Sequence, residues 1–246
     1  MTVLLETREL SRAFGGVRAV NEVSITVEAG SRVAIIGPNG AGKTTLFNLL
    51  GGQLSPTTGR ILFGSRDITR LAPHRRSRLG IARSFQLAAL FPKLTVDEQL
   101  TLAVRRAGER GRERGEIAAA VRDVADAWGL EGRGALLPSE LAYGEQRRLE
   151  LALALAQRPS LLLLDEPNVG LTHDENQSLV QRIHRLGADV TVVLVAHDMD
   201  VVFGVADRVI VMHRGEVLAD GTPEQIRSDT RVADIYFGEA LKHERA

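Results

Sequence analysis

The chain has 246 residues, of which 44% are hydrophobic and 25% charged, so it is long enough to bury a substantial core. Its 31 lysines and arginines balance 31 aspartates and glutamates, and no nucleic-acid partner is expected of a neutral chain. The sequence has no cysteine, which excludes disulfides and thiolate metal sites. Its apolar runs fall far short of the about 20 residues of a membrane-spanning helix. Its start lacks a signal peptide pattern, so we expect a cytosolic protein that reaches a membrane through a partner.

The first part of the chain predicts β-strands. Two segments alternate apolar and polar side chains, Val3 to Leu10 and Val23 to Val27, and Phe14-Gly15-Gly16 between them has the composition of a turn. The continuous apolar run Val33 to Ile36 follows. Such a run is typical of a strand that is buried on both faces of a parallel sheet.

A glycine-rich segment follows this apolar strand and precedes the helix-like run Leu46 to Leu50. It fits the P-loop pattern G-x-x-x-x-G-K-[ST], in which backbone N–H groups converge on phosphate oxygens. Lys43 would bridge the terminal phosphates, and the Thr44 hydroxyl would ligate Mg²⁺. The alternative, a glycine turn with a chance lysine, does not explain both flanks. The predicted nucleotide-binding residues are Gly37, Pro38, Asn39, Gly40, Ala41, Gly42, Lys43, Thr44 and Thr45.

The middle of the chain, residues 87–159, predicts helices. Thr95-Val96-Asp97-Glu98 has the spacing of a capping box that opens the first of them. The charged, glycine-rich residues 108–115 are read as a solvated break rather than a nucleic-acid patch. A second helix is expected to end near Trp128, and a third to cover residues 144–157, before a proline.

A second apolar run, Leu161 to Leu164, ends in the two acids Asp165 and Glu166. At a strand end, Asp165 can hold Mg²⁺, directly or through water. The adjacent Glu166 points elsewhere and can polarise an attacking water. The alternative is a strand that ends in a solvated acidic turn, which the P-loop in the same chain makes the weaker interpretation.

Two further polar residues follow predicted strands. His197 follows the apolar strand Val190 to Ala196, and by topology it lies on the same sheet edge as the P-loop. It could donate to the γ-phosphate or position water, although a lone histidine is usually structural. Gln86 follows Ile81 to Phe85, and its amide could ligate Mg²⁺ and contact water, although most glutamines are surface residues.

A hairpin is predicted near the end of the chain, with Val209 to Met212 and Glu216 to Ala219 joined through Arg214-Gly215. Strands and helices therefore alternate over much of the sequence. This alternation is typical of an α/β sheet.

With these motifs in place, the chain resembles the ATP-binding subunits of ABC transporters along nearly its whole length. Five ordered motifs make the resemblance specific, and the signature motif excludes most other P-loop classes. They are Gly37 to Thr45 as Walker A, Gln86 as the Q-loop, Leu141 to Arg147 as the signature, Leu161 to Pro167 as Walker B and His197 as the switch histidine.

The resemblance implies the fold and the organisation of the chain. It implies an α/β P-loop NTPase fold with a RecA-like core and an N-terminal antiparallel β subdomain. Residues 1–246 would form one ATPase domain, with residues 87–159 as an inserted α-helical subdomain.

The resemblance also assigns roles to site residues. Lys43, Gln86, Glu166 and His197 would be catalytic, and Thr44, Gln86 and Asp165 would hold Mg²⁺. Phe14 falls where the family stacks an aromatic ring on adenine, and the alternative is that Phe14 is a core residue. The signature residues Ala142, Tyr143 and Gly144 would begin a helix whose N–H groups hold the γ-phosphate of an ATP on the partner subunit.

Within the family, the chain is most similar to branched-chain amino-acid importers. The resemblance rests on five segments, Phe14 to Val20, Gly80 to Gln86, Leu141 to Gly144, Ala219 to Ile226 and Val232 to Glu239. It implies a homodimer, or a heterodimer with a paralogous ATPase subunit, that sandwiches two ATPs. It also implies permease subunits, a periplasmic or extracellular solute-binding protein and a location on the inner face of the plasma membrane.

Other functions within the superfamily stay open. A related transporter for urea, amides or lipopolysaccharide fits the same motifs, because specificity usually resides in other subunits. A soluble ABC ATPase of DNA repair or translation would normally carry a long coiled-coil insertion or a second ATPase domain. A non-catalytic, nucleotide-gated scaffold would not need Lys43, Asp165, Glu166 and His197.

Three residues depart from the family pattern. Ala142 lacks the usual hydroxyl, a change shared by the branched-chain group, and Glu145 puts an acid where a neutral amide is usual. Thr172 stands where aspartate or asparagine is usual, and this change and Glu145 bear on the strength of the dimer contacts. We expect Glu145 to point away from the phosphate, because two like charges in contact would be costly.

A cluster of apolar residues follows the predicted strand at Ile81 to Phe85. These residues could pack the helical segment against the core. Alternatively, some of them could line an exposed groove that receives a short cytoplasmic helix of the permease. They are Phe85, Leu87, Leu90, Phe91 and Leu94.

Overall fold

The computed structural model describes residues 2–84, 90–107 and 114–235, in which two sheets are packed with helices. The strands are β1 (Val3–Phe14), β2 (Val17–Val23), β3 (Thr26–Glu28), β4 (Arg32–Ile36), β5 (Thr58–Phe63), β6 (Arg66–Asp67), β7 (Ile81–Arg83), β8 (Leu161–Asp165), β9 (Thr191–Val195), β10 (Arg208–His213) and β11 (Glu216–Gly221). The helices are α1 (Lys43–Gly51), α2 (Pro73–Arg78), α3 (Val96–Ala107), α4 (Arg114–Ala127), α5 (Tyr143–Leu155), α6 (His173–His184), α7 (Met199–Val205) and α8 (Pro223–Ser228), with a 3-10 turn at Pro138–Glu140.

The larger sheet has the strand order β11-β10-β4-β9-β8-β7. All neighbouring pairs from β10 to β7 are parallel, and β11 pairs antiparallel with β10 as the predicted hairpin. Alternate residues of β4 enter different cores, since Ile35 packs on the α1 side and Ile36 packs on the opposite side. Both faces are therefore buried, which explains the continuous apolar runs in the sequence.

The smaller sheet is built around the long strand β1, which pairs antiparallel with β2, β3 and β5. The predicted single strand from Val23 to Val27 is wrong, because β2 ends at Val23 and β3 begins at Thr26. The buried Thr7 causes the break, since its hydroxyl donates to the Val23 carbonyl (2.9 Å) and accepts from the Ile25 N–H (3.0 Å). The Thr7 N–H also donates to the Ile25 carbonyl oxygen (2.8 Å), so backbone and side chain of Thr7 together bind the segment between β2 and β3.

Helices α3, α4 and α5 lie between β7 and β8 in the chain and pack against one another. The predicted capping box opens α3, since the Thr95 N–H donates to Glu98 Oε2 (2.8 Å) and the Glu98 N–H donates to Thr95 Oγ1 (3.3 Å). Trp128 and Leu149 share a core cluster with Leu162 of β8, so these helices cover one face of the larger sheet. Within the described ranges, no helix is long and apolar enough to cross a bilayer.

Candidate nucleotide site

Three of the predicted motifs follow adjacent parallel strands. The glycine-rich loop follows β4, the two acids lie at the end of β8, and His197 follows β9. Strand β9 lies between the other two, and its Val195 is in register with both Ile35 of β4 and Asp165 of β8. The carboxyl ends of these strands meet at one edge of the sheet, which is where ligands bind in open α/β folds.

The loop of residues 37–42 depends on glycine at two positions. Gly37 has φ 151° and Gly42 has φ 101°, and L side chains rarely adopt either conformation. A side chain at Gly37 would also collide with the Met212 carbonyl oxygen, and one at Gly42 with that of Ala19. The tight turn that the P-loop motif predicts is therefore present, and helix α1 starts directly after it.

The Lys43 ammonium group lies inside the turn that residues 37–42 form. Lys43 is only 6% exposed, and its Nζ donates to the carbonyl oxygens of Gly37 (2.6 Å) and Pro38 (2.9 Å). The exposed Thr44 lies in the first turn of α1. The N–H groups of a first turn have no partner within the helix, and together with the helix dipole they favour an anion.

Asp165 is buried at the end of β8, with 2% of its surface exposed. Its Oδ2 accepts a hydrogen bond from Arg83 Nη2 at 2.8 Å, in an ion pair with side chains only 10% and 2% exposed. Its Oδ1 is also buried and has no hydrogen-bond partner among the described residues. Carboxylate oxygens are ligands that Mg²⁺ prefers, so an unpartnered carboxylate oxygen beside the P-loop suits a magnesium ion.

Arg83 is a site residue that the sequence analysis missed. Besides Asp165, its guanidinium donates to Asn48 Oδ1 (2.8 Å) and Gln53 Oε1 (2.9 Å). It thereby ties the helix after the P-loop to the acidic strand end. Only the pairing of β7 with β8 reveals this role, because Arg83 and Asp165 are 82 positions apart in sequence.

Glu166 and His197 are brought together by the pairing of β8 with β9. His197 Nε2 lies 2.7 Å from Glu166 Oε1, and the side chains are 47% and 21% exposed, respectively. Glu166 has φ 49°, which is uncommon for a residue other than glycine, and its N–H donates to the Val195 carbonyl oxygen (2.8 Å). Glu166 thus contacts His197 whereas Asp165 contacts Arg83, and the Glu166 backbone has a strained conformation often found at functional sites.

Phe14 lies at the end of β1 and is 44% exposed. The alternative that it is a core residue is therefore wrong. The Arg12 guanidinium lies 4.6 Å from the centre of its ring, an arrangement typical of a cation–π contact. The predicted Q-loop residue, Gln86, lies outside the described residues.

The signature segment forms the start of α5, with Ala142 as the residue before the first helical turn. Glu145 folds back over this start, since its Oε2 accepts from the Ala142 N–H (2.9 Å) and its Oε1 accepts from Arg133 Nε (2.7 Å). Two hydrogen bonds lower the pKa of Glu145, chiefly the one from Arg133 and to a smaller extent the one from the Ala142 N–H. Glu145 therefore occupies the Ala142 N–H at the start of the helix, and its orientation relative to a partner's phosphate stays a prediction.

The signature residues also contact the segment that follows the acidic strand. Tyr143 Oη donates to the Val169 carbonyl oxygen at 3.1 Å. A side chain at Gly144 would meet Glu175 Oε1, so the Glu175 side chain would have to shift to accommodate it. Glu175 in turn caps α6, accepting from the Thr172 N–H (2.9 Å), and the Thr172 hydroxyl accepts from the Glu175 N–H (3.4 Å). Thr172 is thus the N-cap of α6, a role that aspartate or asparagine would also fill, so the structure does not explain this departure.

A phosphate-binding loop beside an acid pair on a parallel sheet defines a P-loop nucleotide-binding protein. The chain belongs to the ABC transporter family, whose model matches residues 20–169. A second model, for the branched-chain amino acid ATP-binding cassette transporter, matches residues 216–242. The resemblance inferred from the five motifs is thereby confirmed.

Relatives of similar length support the same assignment. The chain is 41% identical to the high-affinity branched-chain amino acid transport ATP-binding protein BraF of Pseudomonas aeruginosa, over 96% of this chain and 98% of the relative. It is 40% identical to the corresponding protein LivG of Escherichia coli (strain K12), over 96% and 98%.

Solved structures support the fold. The ADP conformation of MJ1267, an ATP-binding cassette of an ABC transporter, superposes with a TM-score of 0.86 at 29% identity, covering 97% of this chain and 100% of that one. The dimeric MJ0796, a bacterial ABC transporter cassette, gives a TM-score of 0.81 at 26% identity, covering 89% and 99%. The α/β P-loop ATPase fold that the sequence predicts is thereby confirmed.

Proposed function

We propose that this chain is the ATP-hydrolysing subunit of an ABC importer for branched-chain or other hydrophobic amino acids. The observation that carries the catalytic part is the Glu166–His197 contact of 2.7 Å on the sheet edge that also bears the P-loop. The substrate class rests on relatives named for branched-chain amino acid transport and on the match at residues 216–242.

In this function, the site residues divide the tasks of ATP binding and hydrolysis. Lys43 and the first turn of α1 supply the positive charge that holds the ATP phosphates. The Thr44 hydroxyl and Asp165 would hold Mg²⁺, which neutralises charge on the phosphates when bound. Glu166 accepts the proton of the attacking water, and His197 orients Glu166 or donates to the γ-phosphate. Gln86 remains a predicted Mg²⁺ ligand.

The complete site would need a second ATPase subunit, either a copy of this chain or a paralogue. Ala142, Tyr143 and Gly144 would face the ATP of that subunit. The Ala142 N–H already bonds Glu145, so the N–H groups of Tyr143 and Gly144, which lie in the first helical turn, would hold the phosphate. The dimeric arrangement of the related cassette MJ0796 supports such a sandwich.

The permease would dock in an apolar groove between α3, α5 and the end of β7. This groove has a volume of about 400 Å³, and its lining includes Phe91 and Leu102, which are 58% and 50% exposed. The buried Gln99 holds one wall, since its side chain bonds the N–H of Phe91 (3.0 Å) and the carbonyl oxygens of Phe91 (3.3 Å) and Leu94 (2.9 Å). A preformed apolar groove suits a short amphipathic helix.

This docking would place the chain on the inner face of the plasma membrane. The permease would receive its amino acid from a periplasmic or extracellular solute-binding protein. Leu90 also lines the groove, whereas Phe85 and Leu87 lie outside the described residues.

The test of catalysis uses two variants. Glu166→Gln should still bind ATP but lose about 10²–10⁴-fold in turnover, because the positioned base is gone. It should also accumulate an ATP-bound dimer on size-exclusion chromatography. Lys43→Ala should instead lose ATP affinity, since the polyphosphate lacks its main countercharge. Near-wild-type turnover of the first variant, or unchanged affinity of the second, would exclude these roles.

A further inference from the structure

A second cavity, here called the basic pocket, lies at the opposite edge of the larger sheet from the P-loop. Its volume is about 700 Å³. Its lining includes Gly80 and Ser160, which directly precede β7 and β8, whereas the P-loop follows the carboxyl end of β4. The charged and hydroxyl side chains that line it are His74, Ser77, Arg78, Arg106, Arg158 and Ser160.

The arginines of the basic pocket carry charge that the described part of the chain does not neutralise. Within residues 2–84, 90–107 and 114–235, Arg78, Arg106 and Arg158 form no ion pair, and no carboxylate lines the pocket. Arg106 Nη2 donates instead to Ser77 Oγ at 3.2 Å. All three arginines are exposed, so solvent screens their mutual repulsion, and their guanidinium groups are accessible to an anion that enters the cavity.

The backbone at Arg158 is also unusual. Its φ is 51°, its N–H donates to the Leu155 carbonyl oxygen (2.8 Å), and it directly precedes Pro159. Glycine or asparagine is the usual residue in this left-handed conformation after a helix. An arginine there carries a conformational cost, and a ligand for its guanidinium would explain why the position is not glycine.

We propose that the basic pocket binds a phosphate ester, at a site separate from that of ATP. Guanidinium groups match tetrahedral phosphate oxygens with paired N–H donors, and the Ser77 hydroxyl, which accepts from Arg106, has its own proton to donate. Three positive charges suit a phosphate better than a single carboxylate. The volume of about 700 Å³ also leaves room for the organic group that an ester carries.

The ester could be a soluble metabolite or the headgroup of an anionic phospholipid. Arg106 and Gln157 line both the basic pocket and the apolar groove, so the two cavities are neighbours. The lipid source rests on the proposed function, because it requires that the groove face the membrane. The binding of a phosphate ester does not depend on that function.

The experiment is calorimetric titration of the full chain with sn-glycerol 3-phosphate, with a non-hydrolysable ATP analogue filling the P-loop. Arg78→Gln and Arg158→Gln should each weaken binding about tenfold or more, because each removes a charge-assisted hydrogen bond. The matched control is Arg75→Gln, an exposed arginine on the same helix as Arg78 that does not line the pocket. It should leave the affinity unchanged.

The variant Arg158→Gly distinguishes a loss of phosphate binding from a loss of folding. Glycine adopts the left-handed backbone conformation without strain, so this variant should melt at or above the wild-type temperature while its phosphate binding is lost.

A second experiment measures flotation of the full chain with phosphatidylcholine vesicles, with and without phosphatidylglycerol. Binding only to the anionic vesicles, lost in the same variants, identifies the lipid headgroup as the source.

Two results would overturn the proposal. One is the absence of binding to both glycerol phosphate and anionic vesicles. The other is binding that Arg75→Gln weakens as much as Arg158→Gln does, which would show a diffuse charge effect. If neither probe binds and the variants instead impair assembly with the permease, the pocket serves a carboxylate of that partner and the phosphate assignment is wrong.

Discussion

Replacing Arg83 with methionine should destabilise the fold strongly, because it leaves the Asp165 carboxylate buried without its cation. The two side chains are 10% and 2% exposed, so water cannot compensate the charge. Removal of one partner from a buried ion pair typically costs about 3–5 kcal/mol. That is a large share of the about 5–15 kcal/mol by which a domain is stable.

Urea unfolding of the nucleotide-free chain measures this cost. The matched control is Arg133→Met, which breaks the Arg133–Glu145 pair, with side chains 47% and 15% exposed, and should cost at most about 1 kcal/mol. Adding Asp165→Asn to Arg83→Met should recover part of the loss, because no buried charge remains. Equal costs for Arg83→Met and Arg133→Met would refute the reasoning that burial of Asp165 decides the effect.

Three further predictions concern the surface of the chain. Phe14→Ala should weaken ATP binding by about 1–3 kcal/mol through lost stacking, without lowering the melting temperature, since the ring is 44% exposed. Glu145→Gln should keep ATPase activity within a few-fold or raise it, because glutamine can still cap α5 while the charge near the partner's phosphate is removed. Phe91→Glu should leave soluble ATPase activity and the melting temperature intact but abolish transport in vesicles reconstituted with the permease, since Phe91 is 58% exposed in the groove.

A specific result would contradict each of these three predictions. A lower melting temperature with unchanged ATP affinity would make Phe14 a structural residue only. A hundredfold loss of activity in Glu145→Gln would show a direct catalytic role for the carboxylate. Unfolding of Phe91→Glu, or normal transport by it, would place permease docking elsewhere.

The stability difference between wild type and Glu145→Gln should also depend on pH. Because Arg133 lowers the pKa of Glu145, the charged contact stabilises the fold above the usual pKa range of a glutamate. This contribution is lost as the pH falls through the lowered pKa. Urea unfolding of both proteins at neutral and acidic pH checks that the stability advantage of the wild type shrinks as the pH falls.

The sequence by itself determined the class of this protein and the location of its P-loop. A P-loop is a local pattern, since its glycines, its lysine and the helix that follows are consecutive in the chain. The apolar runs that end in Asp165 and before His197 also indicated buried parallel strands whose ends carry the site. The predicted strand from Val23 to Val27 failed because Thr7, far away in sequence, bonds the intervening backbone.

Only the tertiary structure decided which side chains pair around the site. Arg83 meets Asp165 across 82 positions, and Glu166 meets His197, because strand order rather than sequence spacing sets these distances. The basic pocket likewise gathers α2, the end of α3 and the segment before β8. Such contacts depend on how separate elements pack, and no periodicity within a single segment carries that information.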